Sequence, residues 1–165
     1  MILRKLELED APLMLEWMHD ESVVGKLKND FMSMTSADCE RFIRRSWDNT
    51  NNIHLAIDEC GEYLGTVSLK NIENERAEFA IAERKKTMGT GVAAEAMREI
   101  IRIGFEDMGL NEIYWYVNTD NTRALRFYDK NGYERIMKPH YVVDESDKEY
   151  VWYRIANMGK LMYEK

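Results

Sequence analysis

RKKTMGTGVAAEAMREIIRIGFEDM, residues 84–108, decides the fold of this chain, because a basic turn holding two glycines opens directly into a helix with a strongly apolar face. From Val92 onward Ala93, Ala96, Met97, Ile100, Ile101, Phe105 and Met108 recur at three- and four-residue spacing. That is the stripe of a helix laid against a sheet. Gly89 and Gly91 remove side chains where the first backbone N–H groups of the helix lack partners, and Lys85 and Lys86 add positive charge. An anion such as a phosphate fits such a turn.

Four readings of the turn compete. A nucleotide-triphosphate P-loop needs Gly-Lys-Ser/Thr, and here Val92 and Ala93 follow Gly91, which argues against it. The run Gly89-Thr90-Gly91-Val92-Ala93-Ala94 formally matches the G-x-G-x-x-G/A dinucleotide fingerprint. That fingerprint belongs in the first turn of a βαβ unit, however, and this one lies at mid-chain behind antiparallel strands. The third reading is a coenzyme A pyrophosphate site, and the fourth a glycine turn that only starts a helix.

Outward from the turn, the N-terminal side reads as strands. Residues 2–8 alternate apolar and polar, the period of a half-buried strand. Asp10 as cap and Pro12 open a short helix with Ala11, Met14, Leu15 and Met18 on one face. Residues 19–34 are irregular and offer one wall of a substrate cleft. Thr35-x-x-Asp38 is a capping box for a helix whose face is Cys39, Phe42, Ile43 and Trp47. Residues 52–58, 63–72 and 76–82 are β-rich, joined by a hairpin turn at Glu59-Cys60-Gly61-Glu62 and a polar turn at Glu73-Asn74-Glu75.

On the C-terminal side, residues 112–118 form an aromatic strand. A helix over 122–130 follows, capped by Asp120 or Asn121 and ended by Gly132. Residues 133–138 and 149–157 read as a closing strand pair around a polar excursion at 144–148. The aromatic run Tyr150-Val151-Trp152-Tyr153 suits either a homodimer contact or a buried edge strand.

With 165 residues, 45% hydrophobic and 32% charged, the chain is expected to form one mixed α/β domain over 1–165. It contains no apolar run of membrane-spanning length, and its first residues are charged too early for a signal peptide, so a cytoplasmic location is expected. Cys39 and Cys60 form no C-x-x-C pair and have no clustered histidines, so no metal site is expected. A net charge of −7 argues against nucleic acid and anionic membranes as partners.

The element order and two motifs resemble the GNAT superfamily of acyl-CoA-dependent N-acetyltransferases over nearly the whole chain. The family's Arg/Gln-x-x-Gly-x-Gly/Ala motif corresponds to Lys86-Thr87-Met88-Gly89-Thr90-Gly91, with lysine in the first place and Arg84 and Lys85 beside it. The second motif, N-x-x-A-x-x-x-Y-x-x-x-G-F, corresponds to Asn121, Ala124, Tyr128, Gly132 and Tyr133. Within the superfamily the chain most resembles the branch of ribosomal-protein N-terminal, spermidine and nucleotide-amino-sugar acetyltransferases.

The resemblance implies an α/β (α+β) single-domain fold. Its mixed, mostly antiparallel sheet would have about seven strands, about four flanking helices and a splayed coenzyme-binding strand pair. It further implies acetyl-CoA as co-substrate, held by Ile81, Ala82 and Glu83 along the pantetheine arm, by Lys86 and the turn Gly89, Thr90, Gly91, Val92, Ala93 and Ala94, and by Asn121 and Tyr128. Tyr128 would protonate the leaving thiolate. The acceptor amine needs a base, for which Glu78 is the first candidate because it is a lone carboxylate in an apolar strand; Glu83 and then Glu112 follow. A salt bridge from Glu78 to Arg76 or a lysine is the structural alternative. His19, His54 and His140 are read as structural. The acceptor remains open between a small-molecule amine and a protein N-terminus, with a noncatalytic acetyl-CoA-binding module as the third possibility.

Overall fold

The computed structural model of the chain describes residues 1–27, 29–143 and 148–163. Seven strands form one sheet: β1 (Ile2–Lys5), β2 (Ile53–Glu59), β3 (Glu62–Glu73), β4 (Arg76–Glu83), β5 (Glu112–Asn118), β6 (Glu134–Ile136) and β7 (Tyr150–Ala156). Their order is β1-β2-β3-β4-β5-β7-β6, antiparallel throughout except for the central β4–β5 pair. Four helices of eight or more residues flank it: α1 (Ala11–Met18), α3 (Ser36–Ser46), α4 (Val92–Arg102) and α5 (Thr122–Lys130). Two short ones add to these, α2 (Glu21–Val24) and α6 (Met158–Tyr163).

The period-2 alternation of the strands feeds two cores, one per face. On one face Val67, Leu69, Phe79, Ile113 and Trp115 meet the α4 stripe of Ala96, Met97, Ile100 and Ile101. On the other, Ala56 and Tyr63 meet Met14 and Trp17 of α1 and Cys39 and Ile43 of α3. Each such fully buried aliphatic side chain contributes about 1.5–3 kcal/mol.

Several sequence expectations change. The first strand stops at Lys5, because Arg4 turns toward Asp10 (2.9 Å) and Asp58 (2.6 Å) and the chain enters a 3₁₀ turn at Leu8–Asp10. Asp10 therefore does not cap α1 with its side chain; its carboxylate accepts from Arg4 and from the Glu7 N–H instead. The α4 pattern read as reaching Met108 ends at Arg102 and widens into a π-helical turn over Ile103–Asp107. The closing pair is shorter than expected, and β7 is an interior strand between β5 and β6, so its aromatic run is not an edge. Residues 144–147 of the polar excursion lie outside the described residues. The Thr35–Asp38 capping box, the hairpin turn between Glu59 and Glu62, and the bounds of β5 and α5 match the sequence reading, and Cys60 and Gly61 make that turn at positive φ.

Candidate active site

The site begins where β4 and β5 part. They pair as Arg76↔Glu112, Ala77↔Ile113 and Glu78↔Tyr114, and beyond Glu78 the ladder stops. Parallel strands that stop pairing leave backbone groups of Phe79 to Glu83 without a neighbour on that side, and such groups must find partners or water. The gap opens into a cleft of about 810 Å³, bounded by Glu78 to Glu83 of β4, by Trp115 to Asn118 of β5 and by the first turns of α4 and α5.

At one end lies the glycine turn. Gly89 and Gly91 have φ of 78° and 88°, a conformation side chains disfavour, and a Cβ at either would meet no atom within 4 Å. The space beside the turn is therefore open, and the first N–H groups of α4 face it without intrahelical partners. Thr90 is used locally: its hydroxyl donates to the Thr87 carbonyl. Lys86 points to Glu62 at 2.9 Å and stays exposed. Arg84, taken from sequence as added charge for the turn, is instead buried and spoken for by Glu16, Glu62 and the Tyr63 carbonyl. Its role is to clamp the β3–β4 hairpin to α1. Asn121 caps α5 by accepting from the Ala124 N–H at 3.3 Å and also lines the cleft.

Deep in the cleft Tyr128 projects from α5 against Trp115 and Tyr153, with ring centroids at 5.3 and 5.2 Å. Burial raises its pKa, so the phenol stays protonated at neutral pH. Among the described residues its hydroxyl makes no hydrogen bond.

The two candidate bases sit differently. Glu78, at the point of splay, is bonded to Lys70 (3.1 Å) and to the Asn71 side-chain amide (3.4 Å), which is the lysine bridge the sequence offered as its structural alternative. Glu83 lies five residues along β4, roughly 16 Å away at strand rise, on the opposite face of the strand. One of its oxygens is buried without a hydrogen-bond partner among the described residues, and burial pushes its pKa up to about 7, opposed by Arg123. Glu112 lies apart from both, between Arg76 and Arg154.

Sequence reading missed part of the cleft. His54 and Ser68 form a polar patch on its floor, Nδ1 to Oγ 2.6 Å, and burial with the nearby Lys70 lowers the imidazole to about 4, so it is neutral at pH 7. Arg41, Phe42 and Arg45 of α3 line the same end. The available signal was a cationic pair at i, i+4 beside an aromatic residue of the buried face. Val23, Leu27 and Phe31, from the segment 19–34 read as irregular and as one wall of a cleft, line it, and Glu21–Val24 of that segment is the short helix α2. The segment also reaches across, with Lys26 to Asp120 at 3.1 Å and Arg123 to the Ser22 carbonyl at 3.3 Å. His19 bonds the Met34 carbonyl and stays outside the cleft lining. Among the described residues no group of His, Cys, Asp and Glu could hold a metal ion, and no helix is long and apolar enough to cross a membrane.

Comparison with known proteins gives this geometry a family. Residues 1–134 match the model of the acetyltransferase (GNAT) domain. The chain belongs to that family, and it is an acetyl-CoA-dependent N-acetyltransferase. It is 24% identical over 149 residues to the acetyltransferase PseH of Campylobacter jejuni strain 81-176, covering 88% of this chain and 85% of that protein. It is 35% identical over 78 residues to the spermidine N(1)-acetyltransferase of Escherichia coli K12, covering 46% of this chain and 42% of that protein. The spermidine N-acetyltransferase of Vibrio cholerae, solved with CoA and spermine, shares the fold at TM-score 0.80 and 17% identity, over 97% of each chain.

Proposed function

We propose that the chain acetylates the primary amine of a small molecule, of the amino-sugar or polyamine type, by direct attack within a ternary complex. The observation that carries this is the parting of β4 and β5 after Glu78, which lets a coenzyme arm and an amine meet inside one cleft. The arm of acetyl-CoA pairs with the unpaired edge of β4 at Ile81 to Glu83, and its pyrophosphate rests on the turn from Gly89 to Ala94, with Lys86 and Asn121 beside it. A small acceptor suits the roof formed by the Lys26–Asp120 and Arg123–Ser22 contacts; an extended peptide would need an open groove.

In the reaction the neutral amine nitrogen bonds to the thioester carbonyl carbon and the carbon–sulfur bond breaks. Glu78 takes a proton from the ammonium before attack and passes it to solvent, Tyr128 donates its own to the departing thiolate, and the proton the new amide nitrogen sheds re-protonates Tyr128 through water. Burial raises Tyr128, so the phenol still carries its proton when the thiolate departs. Glu78 is preferred to Glu83 as base because it faces the polar floor of Ser68 and His54, whereas Glu83 stands near the coenzyme turn on the other face of β4. A thiol-release assay with acetyl-CoA tests the reading against amino sugars, polyamines and peptides with free N-termini. Turnover of a small amine is expected; turnover confined to peptides would overturn it.

A further inference from the structure

The cleft continues past the reacting centre to α3, and that end is basic in a chain of net charge −7. Arg41 and Arg45, one helical turn apart, line it, and both also line a shallow depression of about 880 Å³ on the outer side of α3. Arg41 holds Asp38 at 3.1 Å in an exposed pair. Arg45 has no carboxylate within ion-pair distance among the described residues. Of the carboxylates near this end, Asp38 holds Arg41 and the Thr35 cap and Glu78 holds Lys70, while Glu40 and Asp48 face the outer depression. A polycation arriving here meets the like charge of Arg41 and Arg45; an anion meets in Arg45 a guanidinium whose planar fork suits phosphate or carboxylate.

The floor beneath is polar and of defined length. His54, Ser68 and Ala80 are register partners across β2, β3 and β4, so the row spans roughly 10 Å at ordinary strand spacing. Phe42 of α3 lies on the His54 ring at 4.6 Å, which places the helix over the far end of that row.

We infer that the acceptor is a primary amine that also carries an anionic group, a phosphate or a carboxylate, and that Arg45 with Arg41 binds that group while the amine sits at Glu78. This rests on the small-molecule acetyltransferase reading and narrows it to anionic amines, against polyamines. His54 and Ser68 contact the body of the acceptor between its two ends.

The test is kcat/KM by thiol release for four amines: glucosamine 6-phosphate, 6-aminohexanoate, glucosamine and spermidine. At least one of the two anionic amines is expected to exceed both others tenfold or more, and which one does so tells phosphate from carboxylate. Arg45→Gln should cut the ratio of that amine to glucosamine by about 10- to 100-fold, as for loss of a hydrogen bond to a charged group. Arg45→Lys should restore part of it, and the acetyl-CoA Kd from calorimetry should not move. Spermidine or glucosamine as the best substrate, no turnover of either anionic amine by a chain that binds acetyl-CoA, or an equal loss for all amines in Arg45→Gln would each overturn the inference while leaving the acetyltransferase reading standing. Failure of the wild-type chain to bind acetyl-CoA would overturn that reading and the inference with it.

Discussion

Burial of Tyr128 among Trp115, Phe79 and Tyr153 keeps its phenol protonated at neutral pH and fixes its ring, as the proposed proton donor requires. Tyr128→Phe keeps the packing and removes the proton, so kcat should fall roughly 10²- to 10⁴-fold with acetyl-CoA affinity intact. An unchanged kcat, with chemistry rate-limiting, would hand the proton to water. Glu78→Gln should lower kcat/KM for the amine and move the remaining activity to higher pH, where more amine is already neutral. Glu83 makes a different kind of prediction. Its folded pKa of about 7 exceeds that of an unfolded glutamate, so the folded state holds the extra proton between those values. Stability from this group is therefore present at pH 4 and lost as pH rises through 7. Glu83→Gln should be more stable than wild type at pH 8, with the advantage vanishing near pH 4; urea unfolding at both pH values checks this. A wild-type rate limb that disappears in Glu83→Gln rather than in Glu78→Gln would reverse the base assignment.

Elements place these residues, and two glycines show how. Gly65 faces Glu83 in the β3–β4 ladder, where a Cβ would meet the Ala82 carbonyl oxygen at 2.5 Å and the Glu83 Cα at 2.9 Å. Backbone cannot give way as a side-chain tip can, so Gly65→Val should cost about 1–3 kcal/mol in thermal or urea unfolding and weaken acetyl-CoA binding by shifting the strand that leads into the turn. Gly91 is the opposite case, with open space around its Cβ and a left-handed backbone. Gly91→Leu should fold, lose about 1–2 kcal/mol to the conformation, and lose acetyl-CoA affinity because its side chain fills the anion's place. Undiminished affinity in calorimetry would move the pyrophosphate elsewhere. The same scale shows what the sequence could tell. β5 and α5 were readable to the residue because an aromatic run, an Asn121 cap and Gly132 mark their ends locally. The end of β1, the π turn after Arg102 and the employment of Arg84 were not, since each is decided by a partner distant in sequence or in the fold.

At the scale of the molecule, one sheet with a core on each face holds α1 and α3 on one side and α4 and α5 on the other, and the β4–β5 gap joins the two. That Gly89, Asn121 and Tyr128 line one cleft could be anticipated because they lie in compact motifs. The end proposed for the acceptor could not be: Arg41, His54, Ser68 and Lys70 come from three separate elements and look in sequence like the polar positions of any helix or strand. Only the packing of α3 over β2 brings them to one cleft. The most direct measurement is a crystal structure of the chain with CoA bound. The pyrophosphate should lie on the backbone N–H groups from Gly89 to Ala94, with the pantetheine arm between β4 and β5 and the sulfur beside the Tyr128 hydroxyl. A coenzyme bound outside the β4–β5 gap, or with its sulfur remote from Tyr128, would contradict the assignment.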